Sequence, residues 1–276
     1  MPGARALSFG MLGCDLHCGY CQNWVTSQAL RDPVAGSPPV KMTAREFVRL
    51  ALDRHCPVVT STYNEPLITS EWAMEIFKEA RSQGLVTSYV SNGNGTPEVI
   101  DYIAPWVDLY KIDLKSFDDR HYRELGGELE NVCRTIRDLY ERKIWLETLT
   151  LLIPGFNDSK DEIKRLTEFI ASVSPDIPWH VTAFHKDYKM TDPDNTTAAD
   201  LLTACEIGRA AGLRYIYAGN IPGGVGNWEN TYCPECRSLL IERSGFRVFQ
   251  DRITPAGGKC FKCGHAIPGF WRKRDT

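Results

Sequence analysis

The 276 residues are 43% hydrophobic and 24% charged, with a formal net charge of -3. That is chain enough to bury a full core, with too weak a field of either sign to draw nucleic acid or an acidic membrane surface. No run approaches eighteen uninterrupted apolar residues, and the first thirteen residues lack a basic stretch followed by an apolar one. Neither a membrane span nor an export signal is therefore expected, and a cytoplasmic location is. Ten cysteines in such a compartment read as metal or redox chemistry before disulfides.

Along the chain, short β-rich runs alternate with amphipathic helical stretches. The first strand is expected over 6–11, followed at once by Cys14, Cys18 and Cys21 on one loop. Three thiolates cannot close the four-ligand shell of a structural zinc, for which only His17 lies nearby, whereas on an iron-sulfur cubane they leave one iron open to substrate. The breaker-rich stretch 31–40 reads as a surface loop. Thr43 with Glu46 forms a capping box that opens a helix, Thr96 precedes an N1 proline, and Ser159 with Glu162 is a second box. Further strands are expected over 58–63, 85–91, 107–114, 144–153, 180–184 and 213–218. Strand and helix alternating in this way imply an α/β fold. Its strands are expected to be parallel, in an open or closed β/α barrel, with the chemistry on loops at their C-terminal ends.

The alternation stops after Ala218. Residues 219–230, rich in glycine and proline, read as a flexible connection, with a domain boundary near Trp228 separating a barrel of residues 1–228 from a module of residues 229–276. In that module Cys233 and Cys236 pair with Cys260 and Cys263 as two Cys-x2-Cys knuckles 23 residues apart, around a hairpin expected at 239–248. Four thiolates make a closed tetrahedral shell, which favours a structural Zn2+ in a zinc ribbon; a second iron-sulfur cluster is the rival. The remaining Cys56, Cys133 and Cys205 are expected to be small buried apolar residues.

The Cys-x3-Cys-x2-Cys spacing, with aromatic Tyr20 before the third cysteine, resembles the signature of the radical S-adenosylmethionine superfamily. Tyr63-Asn64-Glu65-Pro66 resembles that superfamily's Gly-Gly-Glu-Pro motif, which binds the methionine amino group, with Tyr63 and Asn64 replacing both glycines. Ser91-Asn92-Gly93, Lys111-Ile-Asp113-Leu-Lys115, the strand bearing Glu147 with Thr148 or Thr150, and Phe184-His185 look like the matching stretches of pyruvate formate-lyase activating enzymes. His180, inside its strand, reads as structural. The terminal pattern, Tyr232 to Cys236 and then Cys260 to Trp271, is similar to the AmmeMemoRadiSam-system radical enzymes.

What the resemblance implies is a partial radical SAM barrel holding a 4Fe-4S cluster on Cys14, Cys18 and Cys21. The cluster would reductively cleave S-adenosylmethionine to a 5'-deoxyadenosyl radical, fed by an electron donor such as a flavodoxin or ferredoxin. Tyr20, Asn64, Glu65, Ser91, Asn92, Asp113, Glu147 and His185 would contact the cofactor, and Asp113 and Lys115 would line the reaction cavity. The hydrogen donor is expected to be a small-molecule substrate. The alternative is a glycine loop on a partner protein, as in glycyl-radical activation, and a non-catalytic zinc-ribbon interaction module is the reading from another class.

Overall fold

The computed structural model describes residues 1–271. Seven strands take the sheet order β1-β2-β3-β4-β5-β6-β7, so each crossover returns the chain to the next position. They are β1 (Ala6–Phe9), β2 (Val58–Ser61), β3 (Val86–Ser91), β4 (Leu109–Asp113), β5 (Trp145–Leu152), β6 (Trp179–Ala183) and β7 (Ile216–Gly219). The pairs β1-β2, β2-β3, β3-β4 and β6-β7 are parallel. All seven expected strands are present, the first five shortened, β6 shifted one residue back and β7 starting three residues late and ending one residue later. Helices α1 (Trp24–Ser27), α2 (Ala44–Asp53), α3 (Ser70–Ser82), α4 (Pro97–Ile103), α5 (Asp119–Leu125), α6 (Leu129–Glu141), α7 (Lys160–Val173) and α8 (Ala198–Ala210) fill the crossovers. The fold is the open parallel α/β arrangement expected. No described helix is long and apolar enough to cross a membrane.

Two compact units divide the chain, one made of residues 5–148 with 186–194, the other of residues 1–4, 149–185 and 195 onward. The expected boundary at Trp228 falls inside the second unit. In the first unit, α2 starts where Thr43 and Glu46 cap each other, and it buries Phe47, Val48 and Ala51. Phe9 of β1 meets the rings of Phe47, Trp72 and Phe77 edge-on at 5.0, 5.3 and 6.0 Å. This aromatic packing fixes the height at which β1 ends, and with it the start of the cysteine loop. Thr96 accepts the Val99 N–H to open α4 ahead of Pro97.

In the second unit Ser159 caps α7 by accepting the Glu162 N–H, and a capping box not foreseen from the sequence, Thr197 with Asp200, opens α8. Trp179 is fully buried and donates its indole N–H to Thr150 Oγ1 at 3.0 Å. Gly208 of α8 lies so close to that ring that a Cβ would sit 2.9 Å from it, so only glycine fits. His180 of β6 stacks on Tyr217 at 5.0 Å, in keeping with its structural reading.

After β7 come β8 (Thr231–Tyr232), β9 (Leu239–Ser244) and β10 (Arg247–Asp251), an antiparallel sheet whose β9–β10 hairpin lies where it was expected. Its core gathers Leu240, Ile241, Ile253 and Ile267 with Cys233 and Cys260, and takes in Tyr215 from just before β7. The connection 219–230 is more ordered than its composition suggests. Buried Glu229 accepts the Gly223 N–H at 2.9 Å and the Gly245 N–H at 2.6 Å, tying the connection to the hairpin turn.

Candidate functional site

The first unit carries the cysteine triad directly after β1. Cys18 is buried, Cys14 and Cys21 are half-buried, and all three are free of disulfides. Their loop is held from several sides. The His17 N–H donates to Leu125 O at the end of α5 at 2.9 Å. Gln28 Nε2 and Arg31 Nη1 both donate to Leu16 O, at 3.2 and 3.0 Å. Asp15, between the first two cysteines, accepts Asn92 Nδ2 at 2.7 Å and Asn94 Nδ2 at 2.9 Å from the loop after β3. The segment 186–194 lies across the other end of the loop, where the N–H groups of Lys189 and Met190 both donate to Gly19 O at 2.9 Å.

Glu65 follows β2 and is 2% exposed. One of its carboxylate oxygens accepts Ser91 Oγ at 2.7 Å and the Leu67 N–H at 3.0 Å, and the other accepts the Asn92 N–H at 2.7 Å. Burial, reinforced by the Asp15 charge, pushes this carboxyl up to about 8 against the pull of those donors. A group so placed gains from a nearby cation. Asn64 Oδ1 accepts the Met11 N–H at 3.0 Å and so fixes the exit of β1.

On β4 the two-residue period puts Lys111 and Asp113 on one face, and Lys115 continues it. Lys111 Nζ lies 3.2 Å and Lys115 Nζ 3.7 Å from the two oxygens of Asp113. Burial favours the neutral form of each group, but the two ammoniums hold Asp113 below the usual carboxylate range. Likewise Cys18, Asp113 and Tyr20 raise Lys115 well above the ordinary lysine value despite burial. Burial also raises the Cys14 and Cys18 thiols, so metal must displace their protons to bind.

On β5 the burial alternates, so Glu147 shares the half-buried face with Trp145, whose indole N–H it accepts at 2.9 Å, while Thr148 and Thr150 lie on the opposite, buried face. The triad, Tyr20, Asn64, Glu65, Ser91, Asn92, Asp113, Lys115 and Glu147 all belong to the first unit. His185, which follows β6, belongs to the second unit and is exposed. The sequence reading missed Asp15 and Asn94, although an acidic residue set between two clustered cysteines was itself a signal.

The second unit gathers Cys233, Cys236, Cys260 and Cys263, whose sulfurs all lie within 4.8 Å of one another. Cys233 and Cys263, and Cys236 and Cys260, are 3.6 Å apart. The edge of a tetrahedron with Zn–S bonds of about 2.3 Å is roughly 3.8 Å.

The sequence model of the Radical SAM superfamily matches residues 10–170. The chain belongs to the radical SAM superfamily. An uncharacterized protein of Methanocaldococcus jannaschii is 33% identical over 267 residues, 96% of this chain and 78% of that one. The pyruvate formate-lyase-activating enzyme of Clostridium pasteurianum is 27% identical over 212 residues, 69% of this chain and 84% of the relative. Among solved structures, a domain of the pyruvate formate-lyase-activating enzyme of Bacteroides vulgatus aligns over 59% of this chain and 98% of its own, with a TM-score of 0.52 at 24% identity. Streptococcus suis SuiB covers 79% of this chain and 50% of its own length, with a TM-score of 0.60 at 16% identity.

As a radical SAM protein the chain is an S-adenosylmethionine-dependent enzyme, and membership implies a 4Fe-4S cluster. The triad's donor set fits one: three thiols on a loop fixed from outside. Among the described residues, the group of His, Cys, Asp and Glu donors drawn together as tightly as one ion requires is the other, C-terminal set.

Proposed function

We propose that Cys14, Cys18 and Cys21 hold the 4Fe-4S cluster and that the enzyme removes a hydrogen atom from a small anionic molecule. When bound, the cluster supplies through its open iron the electron that splits S-adenosylmethionine into methionine and a 5'-deoxyadenosyl radical. Buried Glu65, oriented by Ser91 and Asn92, receives the methionine ammonium, while Asn64 and Tyr20 hold the loops on either side. Glu147 and His185 serve the remainder of the cofactor. An external donor such as a flavodoxin or ferredoxin supplies the electron.

One observation supports the small anion: two ammonium groups, of Lys111 and Lys115, lie 3.2 and 3.7 Å from Asp113, and an anionic substrate would pair with them. The second reading, activation of a partner protein's glycine, is favoured by the similarity to pyruvate formate-lyase-activating enzymes. Within the superfamily, the two C-terminal knuckles support the reading of the chain as an AmmeMemoRadiSam-system enzyme. The 3.6 Å sulfur separations support a closed zinc site there.

Dithionite-reduced, reconstituted enzyme with S-adenosylmethionine alone is expected to release 5'-deoxyadenosine. Lys115→Ala should leave this uncoupled release intact and lower coupled turnover at least about tenfold. A full cluster with bound S-adenosylmethionine and no 5'-deoxyadenosine would overturn the mechanism. A glycine-centred radical on a co-purified protein would replace the small molecule by the activase reading.

A further inference from the structure

In the second unit, lined by none of the groups assigned to radical chemistry, a cleft of about 550 Å³ opens between the end of α8, the approach to β7 and the first cysteine knuckle. That volume lies in the range of small-molecule sites. Its charged lining is three guanidinium groups, Arg209, Arg214 and Arg237, against the carboxylate of Glu235. Trp228 and Tyr232 supply ring faces, and the Arg209 guanidinium lies 5.0 Å from the Trp228 ring centre.

Two features of the lining are unexplained by folding. Tyr215 lines the cleft at 5% exposure, and its buried hydroxyl has no hydrogen-bond partner among the described residues. Buried hydroxyls are rarely left so. The second feature is Arg237. The two knuckles turn alike, the Arg237 N–H donating to Cys233 O and the Gly264 N–H to Cys260 O. Both residues take the left-handed backbone, at φ 58° and 76°. Glycine adopts it freely and arginine at a cost, and such strain gathers at functional positions. Arg209 pairs with Glu206 and Arg214 with Asp176, whereas the exposed Arg237 guanidinium has no ion pair among the described residues.

We propose that this cleft binds a small organic anion built on a planar ring, of which a nucleoside monophosphate is the simplest representative. Arg237 and Arg214 receive the phosphate or carboxylate through their forked donors, and the ring stacks beside Trp228 and Tyr232. Tyr215, buried in the core of the C-terminal sheet, closes the cleft on its inner side.

The test is titration calorimetry of the reconstituted full-length protein with saturating S-adenosylmethionine present, so that the adenosyl-binding part of the radical site is filled. AMP is expected to bind, with adenosine and inorganic phosphate each at least tenfold weaker. Arg237→Gly removes the cation and relieves the strained backbone, so its zinc content should be unchanged and its Tm equal or higher, while AMP affinity falls at least tenfold. Loss of binding in a variant of undiminished stability cannot come from unfolding. No AMP heat, or unchanged affinity in Arg237→Gly, would overturn the proposal. So would tight binding of a 5'-phosphorylated oligoribonucleotide with none of AMP.

Discussion

Cys14, Cys18 and Cys21 lie on a loop that its neighbours hold in place, whereas Cys233, Cys236, Cys260 and Cys263 are gathered by the turns of their own knuckles. Around the triad, the carboxylate of Asp15 and the carbonyls of Leu16 and Gly19 are fixed by Asn92, Asn94, Gln28, Arg31 and the 186–194 segment. Around the tetrad, Cys233 bonds with Ser238 and Arg237, and Cys260 with His265 and Gly264, all within a few residues. The first arrangement fixes a loop without drawing its thiols around one ion. The second closes four sulfurs to within 4.8 Å on a small core of Leu240, Ile241, Ile253 and Ile267. On the proposed reading one residue type serves two chemistries, separated by who does the positioning: an open cluster wants a rigid host, and a closed ion builds its own.

The largest effects follow from removing the ligands. Cys18→Ala should abolish iron retention and 5'-deoxyadenosine release while leaving about one zinc per chain; Cys233→Ala with Cys236→Ala should do the reverse. In the double variant, residues 231–267 should also lose amide-exchange protection, because structural zinc in small modules contributes on the order of 10 kcal/mol. Metal analysis and exchange mass spectrometry read both. If the double variant kept its zinc, or lost its iron as well, the two sites would not be independent and the contrast would fail.

A middle-sized effect tests the host of the triad without touching a ligand. Gly126 ends α5 in the left-handed conformation, φ 91°, and a Cβ there would stand 2.6 Å from the His17 ring. Gly126→Ala should cost about 1–2 kcal/mol for the backbone alone, and more as His17 is pushed aside. A lowered urea midpoint with reduced iron loading and unchanged zinc is expected. A normal iron content would mean that the loop tolerates movement of its support.

Much of this was legible in the sequence because it is local or periodic. The seven strands announce themselves by β-branched and apolar runs, α2 by Thr43 and Glu46, and the metal sites by cysteine spacing. What stayed hidden depends on long-range pairing. Asp15 meets Asn92 and Asn94 across more than seventy residues. Tyr215 joins the core of the C-terminal sheet from before β7, and Glu229 turns a glycine-rich connection into an ordered one. The face of β5 also needed the structure, since Glu147 and its threonine neighbours are one residue out of phase.

The smallest effect concerns the 186–194 segment, which the sequence offered only as a stretch after β6. Tyr188 adopts φ 51°, stacks on Trp24 at 5.2 Å and donates its hydroxyl to Asp32 at 2.6 Å, while Lys189 lies 3.3 Å from the same carboxylate. These contacts hold the two N–H groups that reach Gly19, inside the triad. Tyr188→Phe removes one hydrogen bond to a charged acceptor and keeps the ring stack, so the segment should stay in place but open more often. Iron loss to a ferrous chelator should therefore quicken only about two- to fivefold, with zinc and Tm unmoved. Tyr188→Leu, which also loses the stack, should quicken it further. Because the tetrad is gathered by the turns of its own knuckles, neither variant should change zinc release. Equal iron-loss rates in all three proteins would show that the cysteine loop keeps its shape without this segment, which would narrow the contrast between the two sites to the contacts made by Asp15, Leu16 and His17.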